Sequence, residues 1–155
     1  MTSTLSATGK SHSNNPQVTL DRFQSLFNEM KSGRIGDLAS VYAEHVSFTD
    51  PLGTVVGRDR LSTYLEESYR NVLDCRFEFK ERVTDGAQAC LTWRMLVRHK
   101  RLNGGRAIEV DGISHLELRG DLIVFHRDYF DLGQLLYGNV PLLGRVIRWL
   151  RRQAV

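Results

Sequence analysis

The hydrophobic pattern changes its period at Cys75, and this change constrains the fold more than any other feature of the sequence. From Cys75 onward, apolar and polar residues alternate in consecutive segments, as they do in strands with one buried face. Turn residues separate these segments at Asp85-Gly86, Asn103-Gly104-Gly105 and Gly120-Asp121. The predicted inward positions are Cys75, Phe77, Phe79, Val83, Ala89, Leu91, Trp93, Met95, Val97, Ile108, Val110, Ser114, Leu116 and Leu118. The pattern predicts an antiparallel meander of long strands, the last of which runs from Leu122 to Asp131.

The residues before Cys75 follow a helical period instead. Asn15-Pro16 is a typical helix start, and apolar residues at helical spacing follow it up to Gly33. A short second helix is predicted over residues 36–44, and a longer third one after Asp59. Helices followed by an antiparallel meander predict an α+β fold, with a strongly curved sheet wrapped around the N-terminal helices.

Composition limits the number of domains and the cellular context. With 155 residues, 41% of them hydrophobic and 25% charged, the chain has the profile of one ordinary domain, predicted over residues 15–132. Residues 1–14 are rich in Ser, Thr and Asn and are predicted to be a disordered tail. No apolar run approaches the ~20 residues of a membrane span. The first fifteen residues also lack the hydrophobic centre of a secretory signal, so we expect a cytoplasmic protein.

Charge and cysteine content argue against several classes of function. The formal net charge is only +3, and the sequence has neither a glycine-rich phosphate loop nor zinc-finger spacing, so we expect no nucleic-acid partner. Cys75 and Cys90 lie in predicted strands without metal-type spacing, which favours free thiols. The sequence therefore predicts neither a metal site nor a cofactor.

Two acidic residues, Asp50 and Asp128, stand near the ends of apolar strands and are the candidate catalytic residues. Asp50 shares a strand face with Val46 and Phe48. A carboxyl group in an apolar pocket has a raised pKa, which suits proton transfer. The alternative for Asp50 is a cap on the turn at Pro51, and the alternative for Asp128 is an ion pair with a neighbouring base.

Six further residues are predicted to bind substrate around these acids. The wall of the pocket is expected to be apolar, which indicates a small hydrophobic molecule, and the lining is assigned to Phe48, Trp93, Met95, Ser114, His126 and Tyr129. Core packing is the alternative for Trp93 and Met95, and a structural sheet histidine is the alternative for His126.

The chain resembles the nuclear transport factor 2-like superfamily from Pro16 to Asp131. Three features carry the resemblance: the order of the elements, the motif Asp50-Pro51-Leu52-Gly53, and the motif Arg127-Asp128-Tyr129-Phe130-Asp131. The resemblance implies a cone-shaped fold with a deep pocket, as in ketosteroid isomerase, limonene epoxide hydrolase and SnoaL-like polyketide cyclases. Asp50 matches the general base of the isomerase, and Asp128 matches an acid of the hydrolase. The remaining catalytic residues of both enzymes fall on unsuitable residues here, among them Ser114 and Leu96.

These observations predict cofactor-independent acid/base chemistry on a small hydrophobic substrate, either isomerisation, cyclisation or hydrolysis. Asp50 is the predicted base, and Asp128 is the predicted acid/base or orienting group. We expect a homodimer that forms through the exposed face of the sheet. The alternatives are a non-catalytic protein that binds a lipid-like ligand or a protein partner, and a peripheral membrane protein.

Residues 133–155 are predicted to form a helical extension that ends in an amphipathic helix. Arginines occupy one side of this helix, and the other side carries Leu142, Leu143, Val146, Ile147, Trp149 and Leu150. We expect the apolar side to pack against protein, at the pocket mouth or a dimer seam. A membrane surface is the alternative.

Overall fold

The computed structural model describes residues 15–140 and 143–154, so the predicted tail over residues 1–14 lies outside the described residues. The α-helices are α1 (Pro16–Glu29), α2 (Arg58–Tyr69), α3 (Leu132–Leu135) and α4 (Leu143–Gln153). The strands are β1 (Tyr42–Asp50), β2 (Gly53–Val56), β3 (Val72–Asp85), β4 (Gln88–His99), β5 (Ala107–Arg119) and β6 (Leu122–Phe130). Short 3-10 turns lie at Leu38–Ser40, Asn103–Gly105 and Tyr137–Asn139.

The six strands form one sheet in the order β2-β1-β6-β5-β4-β3. Strands β3 to β6 are the predicted antiparallel meander, and β1 joins it parallel to β6. Helix α1 packs its buried residues Leu20, Phe23, Leu26 and Phe27 into a core shared with the inner face of the sheet. The predicted α+β class and curved sheet are confirmed.

The start of α1 follows from its first two residues. The Asn15 side chain accepts a hydrogen bond from the backbone N–H of Gln17 at 3.1 Å, and Pro16 occupies the first helical position. Both features satisfy or remove N–H groups that a helix leaves unpaired at its start. The predicted start of this helix is therefore confirmed.

The helix predicted over residues 36–44 is wrong. The chain makes only a 3-10 turn at Leu38–Ser40, and β1 begins at Tyr42. Backbone pairing overrides the local pattern, because the Ile123 N–H donates to the Val41 carbonyl at 2.9 Å and Tyr42 pairs with Ile123 on β6. This error hid Tyr42, which is fully buried.

Val83 is the second correction, because it points outward with 65% of its surface exposed. The register of β3 against β4 shifts between Phe79 and Arg82, so one extra residue on β3 reverses the faces that follow. Arg82 takes the inward position and donates to Asp21 on α1 at 2.7 Å and to Gln17 at 2.8 Å. Because of the bulge, the inward position expected for Val83 is taken by Arg82, whose hydrogen bonds attach α1 to the sheet.

The C-terminal helix is the third correction. Leu143, Val146, Trp149 and Leu150 are 41–53% exposed, so this face does not close the pocket mouth within the chain, whereas its packing at a dimer seam stays a prediction. The reason is that the opposite edge of α4 turns inward: Gly144 is buried against the backbone of Gly138, and Arg151 bonds Asp131 at 3.0 Å. Leu142 lies outside the described residues. Among the described helices, none is long and apolar enough to span a bilayer.

Gly112 accommodates Trp93, which lies directly opposite it across the β4–β5 ladder. A methyl group at Gly112 would overlap the Trp93 ring, which is 97% buried and whose indole N–H donates a hydrogen bond to Ser114 Oγ at 2.9 Å. We expect Gly112→Ala to lower the free energy of unfolding by about 1–3 kcal/mol through overpacking. Urea denaturation would measure this loss.

Gly53→Ala is the matched control, because its added methyl group would meet Tyr64 at an ordinary contact distance of 3.8 Å. Equal stability of the two variants would contradict the steric role of Gly112.

Candidate functional site

A cavity of about 210 Å³ opens on the inner face of the sheet, between the helices and the C-terminal end of β6. Its wall is mainly apolar and combines aromatic and aliphatic side chains from α1, β1, the turn after β1, α2, β3 and β4, among them Phe27, Phe48, Leu52, Leu65, Phe77, Trp93, Met95 and Val97. Asp50, Tyr64 and Asp128 bring polar groups to this wall. Such a cavity suits a small hydrophobic molecule that carries one or two polar atoms.

Asp50 lies at the end of β1 and is held by three donors. Its Oδ1 accepts hydrogen bonds from the backbone N–H groups of Leu52 at 2.7 Å and Gly53 at 3.0 Å. The Tyr64 hydroxyl lies 2.8 Å from Oδ1 and 2.7 Å from Oδ2. Asp50 therefore caps the turn, as one alternative predicted, and also lines the cavity.

Tyr64 was missed as a site residue in the sequence, where it looked like one member of the apolar stripe of α2. Burial raises the pKa of its hydroxyl, and the hydrogen bond to Asp50 adds to this effect. The hydroxyl therefore stays protonated and remains a donor at the cavity wall. The sequence signal was weak, because Tyr64 was one of three hydroxyl-bearing residues on this face of the predicted helix, together with Ser68 and Tyr69.

Asp128 is the end point of a buried hydrogen-bond network. Its Oδ1 accepts from Ser114 Oγ at 2.5 Å and contacts His126 Nε2 at 2.7 Å. Behind these two, the Trp93 indole N–H donates to Ser114 Oγ at 2.9 Å, and the Tyr42 hydroxyl lies 2.8 Å from His126 Nδ1. Two chains of donors from opposite sides thus converge on one carboxylate oxygen.

The carboxylate of Asp128 sets the hydrogen-bond directions around His126. An ionised carboxylate can only accept, so a neutral His126 ring donates from Nε2 to Asp128, and its Nδ1 accepts from the Tyr42 hydroxyl. Burial and the nearby charge of Asp128 raise the pKa of Tyr42, so its hydroxyl stays protonated. His126 is fully buried, whereas 14% of the Asp128 side chain remains exposed. The network therefore fixes the orientation of Asp128 from inside the core.

The β1–β6 register brings the two acids together. Phe48 pairs with His126, and Thr49 pairs with Arg127, so the next step places Asp50 beside Asp128 on the adjacent parallel strand. Neighbouring strands lie about 4.8 Å apart. Both side chains line the same cavity.

The predicted substrate-binding residues divide into three groups. Phe48, Trp93 and Met95 lie on the cavity wall. Ser114 and His126 lie behind Asp128 and contact it directly. Tyr129 does not line this cavity: its position alternates with that of Asp128, it is 47% exposed, and it stacks with Arg127 at 5.0 Å. It lines a neighbouring surface cleft that also includes Asp50 and Asp128.

Within residues 15–140 and 143–154, no group of three or more His, Cys, Asp or Glu side chains is placed to hold a metal ion. Cys75 and Cys90 are free thiols. Burial raises the pKa of the Cys75 thiol, at the cavity wall, to about 11. This thiol is therefore a poor nucleophile at neutral pH.

The raised tyrosine pKa values predict a loss of stability in alkali. Tyr42, Tyr64 and Tyr69 have raised pKa values in the folded chain, mainly through burial. Above a pH of about 10 the unfolded chain releases these protons while the folded chain keeps them, so the free energy of unfolding falls as pH rises. Urea midpoints measured across this range should decrease.

Ultraviolet titration provides the control. The chain has five tyrosines, and the absorbance change from ionisation of these three should appear only when the protein unfolds. Tyr64→Phe should reduce this absorbance change by the contribution of one tyrosine. Ionisation of all five tyrosines while the protein remains folded would contradict this assignment.

Solved structures with the same fold come from several organisms. A nuclear transport factor 2-like protein of unknown function from Burkholderia pseudomallei K96243 is 19% identical, with a TM-score of 0.68, and the match covers 80% of this chain and 95% of that one. A candidate SnoaL-like polyketide cyclase from Jannaschia sp. CCS1 is 12% identical, with a TM-score of 0.65 and coverage of 83% and 95%. An epoxide hydrolase from M. tuberculosis, similar to limonene epoxide hydrolase, is 14% identical, with a TM-score of 0.63 and coverage of 84% and 92%. At these identities the likeness shows the fold alone.

No match to a curated protein sequence was found. The sequence model of the SnoaL-like domain matches residues 23–126, which run from α1 to the histidine of the buried network. The chain therefore belongs to the SnoaL-like domain family, in agreement with the superfamily resemblance of its sequence motifs.

Proposed function

We propose that this protein catalyses a cofactor-independent acid/base reaction on a small hydrophobic substrate bound in the cavity. The reaction classes that fit are isomerisation, cyclisation and hydrolysis. The observation that carries the proposal is the pair Asp50 and Asp128, which lie side by side at an apolar cavity with different hydrogen-bond partners.

Asp128 is the better candidate for the base. Its Oδ1 is held by Ser114 and His126, whereas its Oδ2 accepts no hydrogen bond from the described residues. This second oxygen is therefore available to take a proton from the substrate or from a water molecule. Asp50 has both oxygens engaged, so the geometry favours Asp128 over Asp50, the base predicted from the sequence.

Tyr64 and Asp50 form the second half of the proposed machinery. Tyr64 is a protonated donor at the cavity wall. A substrate oxygen that gains negative charge would compete with Asp50 for this hydroxyl and would be stabilised by it. Asp50 holds the hydroxyl in place before the substrate binds.

The names of related structures are compatible with this proposal. The neighbours include a candidate polyketide cyclase and an epoxide hydrolase, whose names denote ring closure and ring opening. A cavity of about 210 Å³ restricts the substrate to a small molecule.

The test uses a panel of small hydrophobic ketones and epoxides. For the ketones, exchange of α-hydrogens in D₂O is followed by NMR, because it reports proton abstraction whatever the net reaction. For the epoxides, ring opening in ¹⁸O-labelled water is followed by mass spectrometry. We expect turnover by the wild-type protein and by Asp59→Asn, which changes an exposed carboxylate in the first turn of α2, away from the cavity wall.

Saturable binding of panel compounds without exchange or ring opening would contradict the catalytic proposal. That outcome would favour the alternative of a non-catalytic ligand-binding protein.

We also propose that the chain forms a homodimer through the outer face of the sheet. This face carries the half-buried side chains of Leu96, Ile113 and Phe125 beside the ion pairs of Arg94 with Glu109 and Asp111. Light scattering should give twice the chain mass of 17.7 kDa. A mass of one chain at high concentration would contradict the proposal.

A further inference from the structure

Helix α4 presents an exposed apolar side that packs against no other part of the described chain. Its exposed apolar side consists of Leu143, Val146, Trp149 and Leu150, which are 41%, 51%, 53% and 52% exposed. The other side carries four arginines, at positions 145, 148, 151 and 152, and the sequence of the helix contains no acidic residue. This combination is typical of helices that lie in the plane of a membrane interface.

The orientation of α4 is set by specific contacts. Gly144 packs against the backbone of Gly138, and Arg151 forms an ion pair with Asp131. Because these contacts use the glycine and arginine edge of the helix, the apolar side faces away from the domain.

A second observation adds to the positive charge of this surface. Arg101 and Arg106 line a surface cleft together with Arg145 and Arg148 of α4. None of the described residues that line this cleft carries a carboxylate. Four guanidinium groups around one cleft suit the phosphate groups of lipid heads.

We propose that α4 and this arginine cleft dock the protein on an anionic phospholipid bilayer. The apolar side chains would enter the boundary between headgroups and acyl chains, with Trp149 at the interface, where tryptophan is enriched. The arginines would bind anionic headgroups. The docking does not depend on the reaction proposed for the cavity.

Charge favours a bilayer over a second copy of the chain. A second α4 would add four more arginines and no acidic residue to the same surface, so it would increase the positive charge there and neutralise none of it. A negatively charged lipid surface presents the complementary sign over a wide area.

The cleft and the cavity share neighbouring parts of the chain. Arg101 lines the cleft while Leu102 lines the cavity, and Leu136 of the cavity precedes Gly138 of the cleft by two residues. A docked protein would therefore hold one wall of the cavity close to the lipid surface.

The experiment measures flotation of the full chain with vesicles of phosphatidylcholine alone and of equal parts phosphatidylcholine and phosphatidylglycerol. We expect binding only to the anionic vesicles, and it should weaken as salt is added. Trp149 should shift its fluorescence to shorter wavelength on binding, since the other tryptophan, Trp93, is already 97% buried.

Two matched pairs of variants test the two sides of the helix. Val146→Asp should lower the partition coefficient at least about tenfold, because a charge replaces an inserted apolar side chain. Val83→Asp makes the same change at an exposed valine on β3 and should bind like the wild type. Arg148→Gln should weaken binding about fivefold, whereas Arg119→Gln, at the far end of β5, should not.

Two outcomes would overturn the proposal. The first is that the wild type fails to bind anionic vesicles. If Val146→Asp then has a lower mass than the wild type in light scattering, the apolar side belongs to a contact with a second copy of the chain. The second is that Val146→Asp binds vesicles as well as Val83→Asp, with melting temperatures showing both variants to be folded.

Discussion

Replacing Asp128 by asparagine is expected to slow the proposed proton transfer by about 10²–10⁴-fold while leaving the protein folded. The asparagine carbonyl oxygen can still accept the hydrogen bonds that Ser114 and His126 donate to Oδ1 in the wild type. Its amide NH₂ then replaces Oδ2 at the cavity and cannot take a proton. The loss should fall on kcat more than on KM, because substrate contacts with the apolar wall remain.

Two comparisons make this prediction specific to Asp128. Asp59→Asn should retain full activity, since Asp59 is an exposed residue of the first turn of α2 and does not line the cavity. Asp50→Asn should have a smaller effect than Asp128→Asn if Asp50 only positions Tyr64. An Asp50→Asn loss equal to or larger than that of Asp128→Asn would return the role of base to Asp50.

His126→Ala is expected to cause the largest loss of stability, about 3–5 kcal/mol. The ring is fully buried and lies within 4.8–5.9 Å of the rings of Phe23, Phe27, Tyr42 and Phe48. Its removal leaves a space among these rings and deprives the Tyr42 hydroxyl of its partner. Calorimetry should show a fall in melting temperature on the order of 10 °C.

His115→Ala is the control, because His115 is partly exposed and bonds only Gln88 among the described residues. A double-mutant cycle of His126→Ala with Tyr42→Phe should give a coupling free energy clearly above zero, since the two side chains share one hydrogen bond. Additive effects, or a small loss for His126→Ala, would contradict the structural role of the network.

Strand alternation made the two acids predictable. Asp50 follows Val46 and Phe48 at steps of two, and side chains at such steps share a face wherever the strand is regular. The same rule accounts for the position of Arg94 and His115 on the outer face, where both make polar contacts. The two-residue period was enough to assign the faces of these residues, because the strand pairing has no bulge there. This holds for β1 near Asp50, for β4 and for most of β5.

The misplaced residues depend on contacts between distant segments. The alternation of β3 continues through Val83 in the sequence, and only the pairing with β4 shows that one residue is inserted. Tyr129 is an exception, because no distant contact is needed to place it. It alternates with Asp128, so the alternation rule by itself puts Tyr129 on the opposite face from the cavity wall.

The partners of the two acids were beyond the sequence for a similar reason. Tyr42 was assigned to a helix until its pairing with Ile123 placed it on β1. The network at Asp128 joins residues from four strands, and sequence spacing carries no information on such distances. The amphipathic pattern of α4 showed that one side is apolar, but contacts at Gly144 decide where that side points.

The bulge in β3 lets one strand serve two separate tasks. Phe77, before the bulge, lines the cavity, whereas Arg82, after it, fastens α1 at the other end of the strand. Side chains on the first half can therefore change to reshape the ligand space without loosening the attachment of the helix. This separation would let related chains diversify what they bind while keeping the same frame.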